Sequence, residues 1–179
     1  MRLFVALDLP ADLRVRLSAL ATRGIPGTRW VEPENYHLTL RFIGETPAWR
    51  AEEIDFALAD LRARTFPLTL AGLGTFNKGD RATSLWVGVD RNDQLAHLGR
   101  KIETALQRAG LDPERRRFSP HVTLARLENV PEVKLASFVQ AHNLFRAPAI
   151  SVRHFTLFSS QLGKDRAVYT PEAQYELQD

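Results

Sequence analysis

Apolar positions along this chain recur in two rhythms, and the changes of rhythm mark its elements. Arg2-Leu3-Phe4-Val5-Ala6-Leu7 is a short apolar run that reads as a strand. Leu13, Leu17 and Leu20 then recur at helical spacing behind Pro10, which suits a helix start, and Gly24 offers a stop. Trp30-Val31 leads into the strand His37-Leu38-Thr39-Leu40-Arg41-Phe42-Ile43, closed by Gly44. Thr46-Pro47 caps a second helix that aligns Ala51, Ile54, Leu58 and Leu61. Phe66-Pro67-Leu68-Thr69-Leu70 and Ser84-Leu85-Trp86-Val87-Gly88-Val89 read as strands, with a polar turn Asn77-Lys78-Gly79-Asp80-Arg81 between them. A third helix from about Asn92 to Ala109 turns Leu95, Leu98, Ile102 and Leu106 inward and stops at Gly110. The strand His121-Val122-Thr123-Leu124-Ala125-Arg126 follows, then a shorter helix from Pro131 through Leu135, Phe138 and Val139. Strands around 150–159 and 167–177 finish the chain.

Four helices among seven or eight strands, some joined by short turns, predict an α+β fold with antiparallel or mixed sheets and helices on their outer faces. With 179 residues and 44% hydrophobic positions, the chain can bury a core as one domain or as two small lobes. No linker divides it, and the order strand, helix, strand, helix recurs in each half, which raises an internal duplication. The absence of cysteine removes disulfide scaffolds, thiolate metal sites and cysteine nucleophiles. No apolar run approaches a membrane span, and Met1-Arg2-Leu3-Phe4-Val5 is too short and too soon charged for a signal peptide. A cytoplasmic protein without a membrane partner is the expectation.

Lys and Arg total 24 against 21 acids, a net charge of +3, and only Lys78, Lys101, Lys134 and Lys164 are lysines. An arginine-rich chain suits an anionic partner because guanidinium binds phosphate with a planar fork. Genomic base composition explains the same bias, so charge permits a nucleotide ligand without establishing one.

The informative feature is His37-Leu38-Thr39-Leu40 and its echo His121-Val122-Thr123-Leu124, 84 positions later. Five His and twelve Thr give roughly a third of a His-x-Thr per chain by chance, and two copies followed by Leu on the order of one time in a thousand. Residues two apart on a strand share a face, so each motif presents an imidazole beside a hydroxyl while its apolar residues point into a core. Two such strands facing one ligand supply a general base and a general acid for displacement at phosphorus. Their hydroxyls can donate to phosphate oxygens, and an arginine can balance the charge.

The other histidines fit plainer roles. His97 reads as a solvated helix residue and His142 as a cation at a helix C-terminus. His154-Phe155-Thr156 is a third His-x-Thr, read as a sheet-surface pair. Neither main motif contains an acid or a second histidine, so a metal site is disfavoured. No Gly-x-Ser-x-Gly elbow or Gly-x-x-x-x-Gly-Lys phosphate loop is present.

With both His-x-Thr segments in hand, the chain resembles the 2H phosphoesterase superfamily. Within it the chain is most similar to the RNA 2′,3′-cyclic phosphodiesterases, also called 2′-5′ RNA ligases. The resemblance rests on Arg2-Leu3-Phe4-Val5-Ala6-Leu7, on the run from His37 to Glu45 and on the run from Phe118 to Arg126, and it covers essentially the whole chain. It implies one domain, residues 1–179, of two interdependent lobes with pseudo-twofold symmetry, two antiparallel sheets and an active-site cleft between them. It implies hydrolysis of 2′,3′-cyclic phosphates to 2′-phosphomonoesters with no metal or other cofactor, and 2′-5′ ligation as the reverse reaction. His37 and His121 are then the acid and base, and Thr39 and Thr123 hold the phosphoryl oxygens. Arg126 matches a phosphate-binding arginine and Phe42 a base-stacking aromatic. Both lie five residues after their histidine, so an ideal strand turns them to the opposite face. They reach the cleft only where the strand ends, twists or bulges.

The implied partners are RNA 3′ ends or cyclic nucleotides, and the implied state is a monomer. Two other functions remain compatible: a nucleotide- or RNA-binding module with little turnover, and a phosphodiesterase acting on cyclic ADP-ribose phosphate or 2′-5′ oligonucleotides. Arg115-Arg116-Arg117 reads either as a guide for RNA or as a solvated loop. Gly163 is followed by Lys164-Asp165-Arg166, a departure from the family pattern at the cleft's edge.

Overall fold

A computed structural model describes residues 1–179. Ten strands, four α-helices and one 3-10 turn follow in the order β1 (Arg2–Asp8), α1 (Ala11–Ser18), β2 (Thr28–Trp30), the turn Pro33–Asn35, β3 (His37–Glu45), α2 (Ala48–Ala59), β4 (Phe66–Leu68), β5 (Leu70–Lys78), β6 (Arg81–Val89), α3 (Asp93–Arg108), β7 (Val122–Leu127), α4 (Glu132–His142), β8 (Ile150–Val152), β9 (His154–Leu162) and β10 (Ala167–Glu176).

All strand pairs in these sheets are antiparallel. One half of the main sheet runs β10-β9-β1-β3, and the other runs β7-β6-β5 with β2 also on β7. The halves meet at a single residue pair, Leu38 opposite Val122, next to both histidines. The small pair β4–β8 stands apart. The two stretches β1-α1-β3-α2-β4-β5 and β6-α3-β7-α4-β8-β9 repeat one pattern around that central pair. Each half takes in a strand from the opposite stretch, because β9 pairs with β1 while β5 pairs with β6.

One core of 34 buried residues spans both halves. Leu38, Leu40, Val122 and Leu124 point into it, as alternation requires, and meet the inner stripe Leu95, Leu98, Ile102 and Leu106 of α3. Asn92 caps α3 by accepting from the Leu95 backbone N–H, a bond worth about 1 kcal/mol. With α3 on the core face of β3, the opposite face is left for the histidines.

Three local expectations change. The first helix ends at Ser18 rather than near Gly24. Pro47 itself holds the N-cap position of α2, and the Thr46 hydroxyl donates to the Gly44 carbonyl instead of capping. The strand β5 extends through residues 70–78, where the sequence pattern ended a strand at Leu70. Gly72, at φ 75°, breaks the β5–β6 register and hides the alternation.

Candidate active site

The site is built from two strands that carry the same irregularity. In β3, Ala6 faces Thr39 and Val5 faces Arg41, so Leu40 is an extra residue, a β-bulge. In β7, Trp86 faces Thr123 and Leu85 faces Ala125, so Leu124 is the extra residue. The bulge sits in both cases on the leucine of His-x-Thr-Leu. One extra residue reverses the parity of everything beyond it. Phe42 pairs with Phe4 on the same face as Thr39, and Arg126 pairs with Ser84 on the same face as Thr123. The pairings therefore turn Phe42 to the face of His37 and Thr39 and Arg126 to the face of His121 and Thr123, with His121 and Arg126 close enough to act on His37, and the ideal-strand expectation for Phe42 and Arg126 gives way to the bulge.

The bulge also decides what lies behind. Ala125 is fully buried, and its counterpart Arg41 has a side chain only 11% exposed. Arg41 Nε donates to Glu103 Oε2 of α3 at 2.7 Å, and Nη2 donates to the Asp112 carbonyl at 2.6 Å. Burial alone would raise the Glu103 pKa, but its bonds from Arg41, the Glu114 backbone N–H and Gln107 outweigh that and lower it. This ion pair ties the first motif strand to the loop that leads into the second.

Each imidazole is held in the same way. His37 Nδ1 lies 2.7 Å from the Asn35 carbonyl, and His121 Nδ1 lies 2.7 Å from the Ser119 carbonyl. A carbonyl oxygen only accepts, so both Nδ1 atoms carry hydrogen and both Nε2 atoms are free for a ligand. Both rings rest on aromatics. His37 contacts Phe4 at 4.9 Å and the edge of Tyr169 at 5.1 Å. His121 contacts Phe76 at 4.7 Å and Trp86 at 6.0 Å. Gly74 lets the Trp86 indole lie flat across β5, since a Cβ there would sit 2.3 Å from the ring.

Burial lowers the pKa of both histidines below the ordinary value near 6.5, and the Arg126 guanidinium lowers both further. His121 adds to the lowering at His37, while the carbonyl bonds oppose it without reversing it. Both imidazoles therefore hold a proton less readily than a free imidazole, with the Arg126 guanidinium close by.

Several residues of this surface lack a signature in the sequence. Arg29 of β2 pairs directly with Arg126. Like charges opposite one another in a sheet repel, so this pairing costs the sheet some stability. Phe158 stacks on Phe4 at 5.3 Å and widens the aromatic floor of the first half. The third His-x-Thr lies on the same sheet face as His37. His154 Nε2 is bonded to Asp8 Oδ1 at 2.8 Å, Asp8 is the cross-strand partner of His37, and Thr156 is buried. His97 is exposed on α3, and His142 ends α4 with its ring 4.6 Å from Phe138. Arg116 of the arginine run is held by Glu114. At the departing edge, Arg166 reaches Glu34 at 3.2 Å and Asn35 Nδ2 donates to the Ala167 carbonyl at 3.0 Å, which straps the β9–β10 hairpin to the turn before His37. No group of three or more His, Asp or Glu side chains converges into a metal-binding set. No helix is long and apolar enough to cross a membrane.

The LigT-like phosphoesterase family model matches this chain twice, over residues 7–86 and 87–169, one match per motif. Curated proteins called RNA 2′,3′-cyclic phosphodiesterase are similar to it. One from Thermotoga maritima is 31% identical, with 98% of this chain and 96% of that one aligned. One from Aeropyrum pernix is 42% identical over 62% of each chain. A third, from Geobacillus stearothermophilus, is 35% identical, and the match spans 41% of its length. The crystal structures of Escherichia coli LigT in apo form and complexed with 3′-AMP each superpose with a TM-score of 0.81 at 28% identity, covering 99% of this chain and 98% of theirs.

Proposed function

This chain belongs to the LigT-like phosphoesterase family, and on that premise we propose that it is a metal-independent enzyme that opens 2′,3′-cyclic phosphates. Its substrates are RNA 3′ ends or cyclic nucleotides, and its product is the 2′-phosphomonoester. The observation that carries this reading is the matched pair of Nδ1–carbonyl bonds, which leaves two Nε2 atoms available to one phosphorus. Relatives called RNA 2′,3′-cyclic phosphodiesterase support the choice of substrate.

In the reaction, the oxygen of water forms a bond to phosphorus while the P–O3′ bond breaks. One of His37 and His121 takes the proton of water on Nε2. The other, entering as imidazolium, gives its Nε2 proton to O3′. Thr39 and Thr123 donate to the non-bridging oxygens, and Arg126 balances the charge that grows on them. Phe42 stacks on the base, a contact that tolerates any base. A 5′-hydroxyl in place of water, bonding to phosphorus as P–O3′ breaks, makes a 2′-5′ linkage with the same histidine roles, and the return of O3′ to that phosphorus with loss of O5′ exchanges them. The anionic phosphate offsets Arg126, which lets one histidine regain the proton the free protein disfavours. On this reading the chain acts as one domain of two interdependent lobes, monomeric and cytoplasmic.

The test is hydrolysis of a 2′,3′-cyclic nucleotide by His37→Ala and His121→Ala with a chelator present throughout. Each variant is expected to lose about 10²–10⁴-fold in kcat, the range of a positioned acid or base. Full activity in either variant overturns the two-histidine mechanism, and loss of wild-type activity to the chelator overturns its metal-free part. Tight binding of 2′-phosphonucleotides without product would make the chain a binding module.

A further inference from the structure

A second basic surface lies on the side of the molecule away from the histidines. Helices α2 and α3 pack against each other there, and α3 covers the core face of β3, as the Arg41–Glu103 pair fixes. Between their outer faces runs a groove of about 570 Å³, lined by Phe56, Arg62, Arg100, Lys101 and Arg108, with Asp60 its one carboxylate. None of these four cations has a carboxylate within ion-pair distance. Lys101 donates to the Arg62 carbonyl, which joins α3 to the turn after α2. Arg100 and Arg108 are two helical turns apart, about 12 Å at 1.5 Å per residue. Phe56 is 79% exposed beside them, and the next groove along α2 holds Trp49, 60% exposed, with Glu52 and Glu53, so the basic stretch ends at Arg108.

Four cations along one groove with a single carboxylate among its lining favour an extended anion over a compact one. An exposed aromatic ring at the same place adds a flat face. Linear phosphate charge combined with planar rings is the chemistry of single-stranded nucleic acid. An acidic protein segment would satisfy the cations and leave Phe56 without a partner.

We propose that the α2–α3 groove binds the body of a single-stranded RNA through its phosphates, with Phe56 stacking on a base. The inference rests on the reading of the substrate as RNA and extends it. A long RNA is held at two places, its end at the cleft and its upstream chain behind, while a cyclic mononucleotide sees the cleft alone.

The experiment uses the full chain and a single-stranded RNA of about 16 nucleotides ending in an ordinary 3′-hydroxyl, so binding is measured without turnover. The double variant Arg100→Glu, Arg108→Glu is expected to weaken RNA binding at least tenfold. It should also flatten the dependence of log affinity on log salt by about 1.4, at roughly 0.7 per phosphate contact. Phe56→Ala should weaken RNA binding severalfold and leave the salt slope unchanged. Both variants should hydrolyse a cyclic mononucleotide at the wild-type rate, which shows that they are folded. Unchanged RNA affinity and slope in the double variant overturn the proposal. Equal weakening for a polyglutamate peptide of matched charge overturns it in favour of an acidic protein. Absence of cyclic-nucleotide turnover in the wild type would instead overturn the proposed activity, and the binding result stands apart from it.

Discussion

The two halves of the cleft share a scaffold and differ in what they present on it. Each has a histidine held through Nδ1 by the carbonyl two residues earlier, a threonine two residues later and a bulge on the following leucine. Beyond the bulge they part. The β3 half turns Phe42 to the histidine face, 6.1 Å from Phe4, which itself meets Phe158 and Tyr169. The β7 half turns Arg126 to the cleft, beside Arg29. A repeat of strands makes symmetric positions for two proton carriers, which suits a reaction whose two proton transfers mirror each other. A nucleotide is not symmetric, since it has a ring at one end and a phosphate at the other. On the proposed function, one position past each bulge, aromatic in one half and cationic in the other, orients it.

The largest expected break in this comparison comes from Arg126→Met. Loss of a cationic donor to the phosphoryl oxygens should lower kcat/KM by about 10²–10³-fold. The change should also move the pH profile. With both histidine pKa values lowered, the bell for kcat/KM, which reports the free enzyme, centres on the acid side of 6.5. Its two limbs belong to the coupled pair. Arg126 is one cause of the lowering, so its removal shifts both limbs to higher pH. A profile that drops in height at a fixed centre would mean that Arg126 acts on the ligand without facing the imidazoles.

The sequence carried most of this site and concealed its geometry for a definite reason. The paired motifs are local, and two strands with the same spacing must present the same groups. The bulge is written less clearly. In β7 it leaves two adjacent buried residues, Leu124 and Ala125, a break in alternation that can be read from apolar residues alone. In β3 the matching residue is Arg41, which looks solvent-facing in sequence and is buried only because Glu103, 62 positions away, neutralises it. Arg29 and Tyr169 joined the site through pairings that no local pattern contains. Residues 71–76 show no strand pattern in sequence because Gly72 and Gly74 carry no side chain to mark a face, and the role of Gly74 is to make room for Trp86.

A smaller effect should come from the other side of the comparison. Phe42→Ala removes a ring that is 54% exposed and free to stack on a base. At about 1–3 kcal/mol per stacked base, KM for a cyclic nucleotide should rise roughly tenfold, while kcat and the pH profile hold. The contrast with Arg126→Met is the useful readout, because one half should govern binding of the ring and the other the charge at phosphorus. If Phe42→Ala lowers kcat as strongly as KM rises, the two halves are not divided in this way.

The smallest effect tests a difference in how the histidines are mounted. The carbonyls of Asn35 and Ser119 do the same work for His37 and His121, yet only Asn35 has a second anchor, its side-chain bond to the Ala167 carbonyl. That bond ties the support of His37 to the hairpin that carries Tyr169 against the same ring. Asn35→Ala leaves the carbonyl in place and removes the tether, a loss of about 1 kcal/mol or roughly fivefold. The expected result is a severalfold fall in kcat with little change in KM, and a displacement of the pH profile as the His37 ring loosens. Ser119→Ala should change neither, because the Ser119 side chain makes no hydrogen bond that holds the His121 support. Equal effects from both substitutions would mean that the hairpin tether contributes nothing and that the two mounts are equivalent.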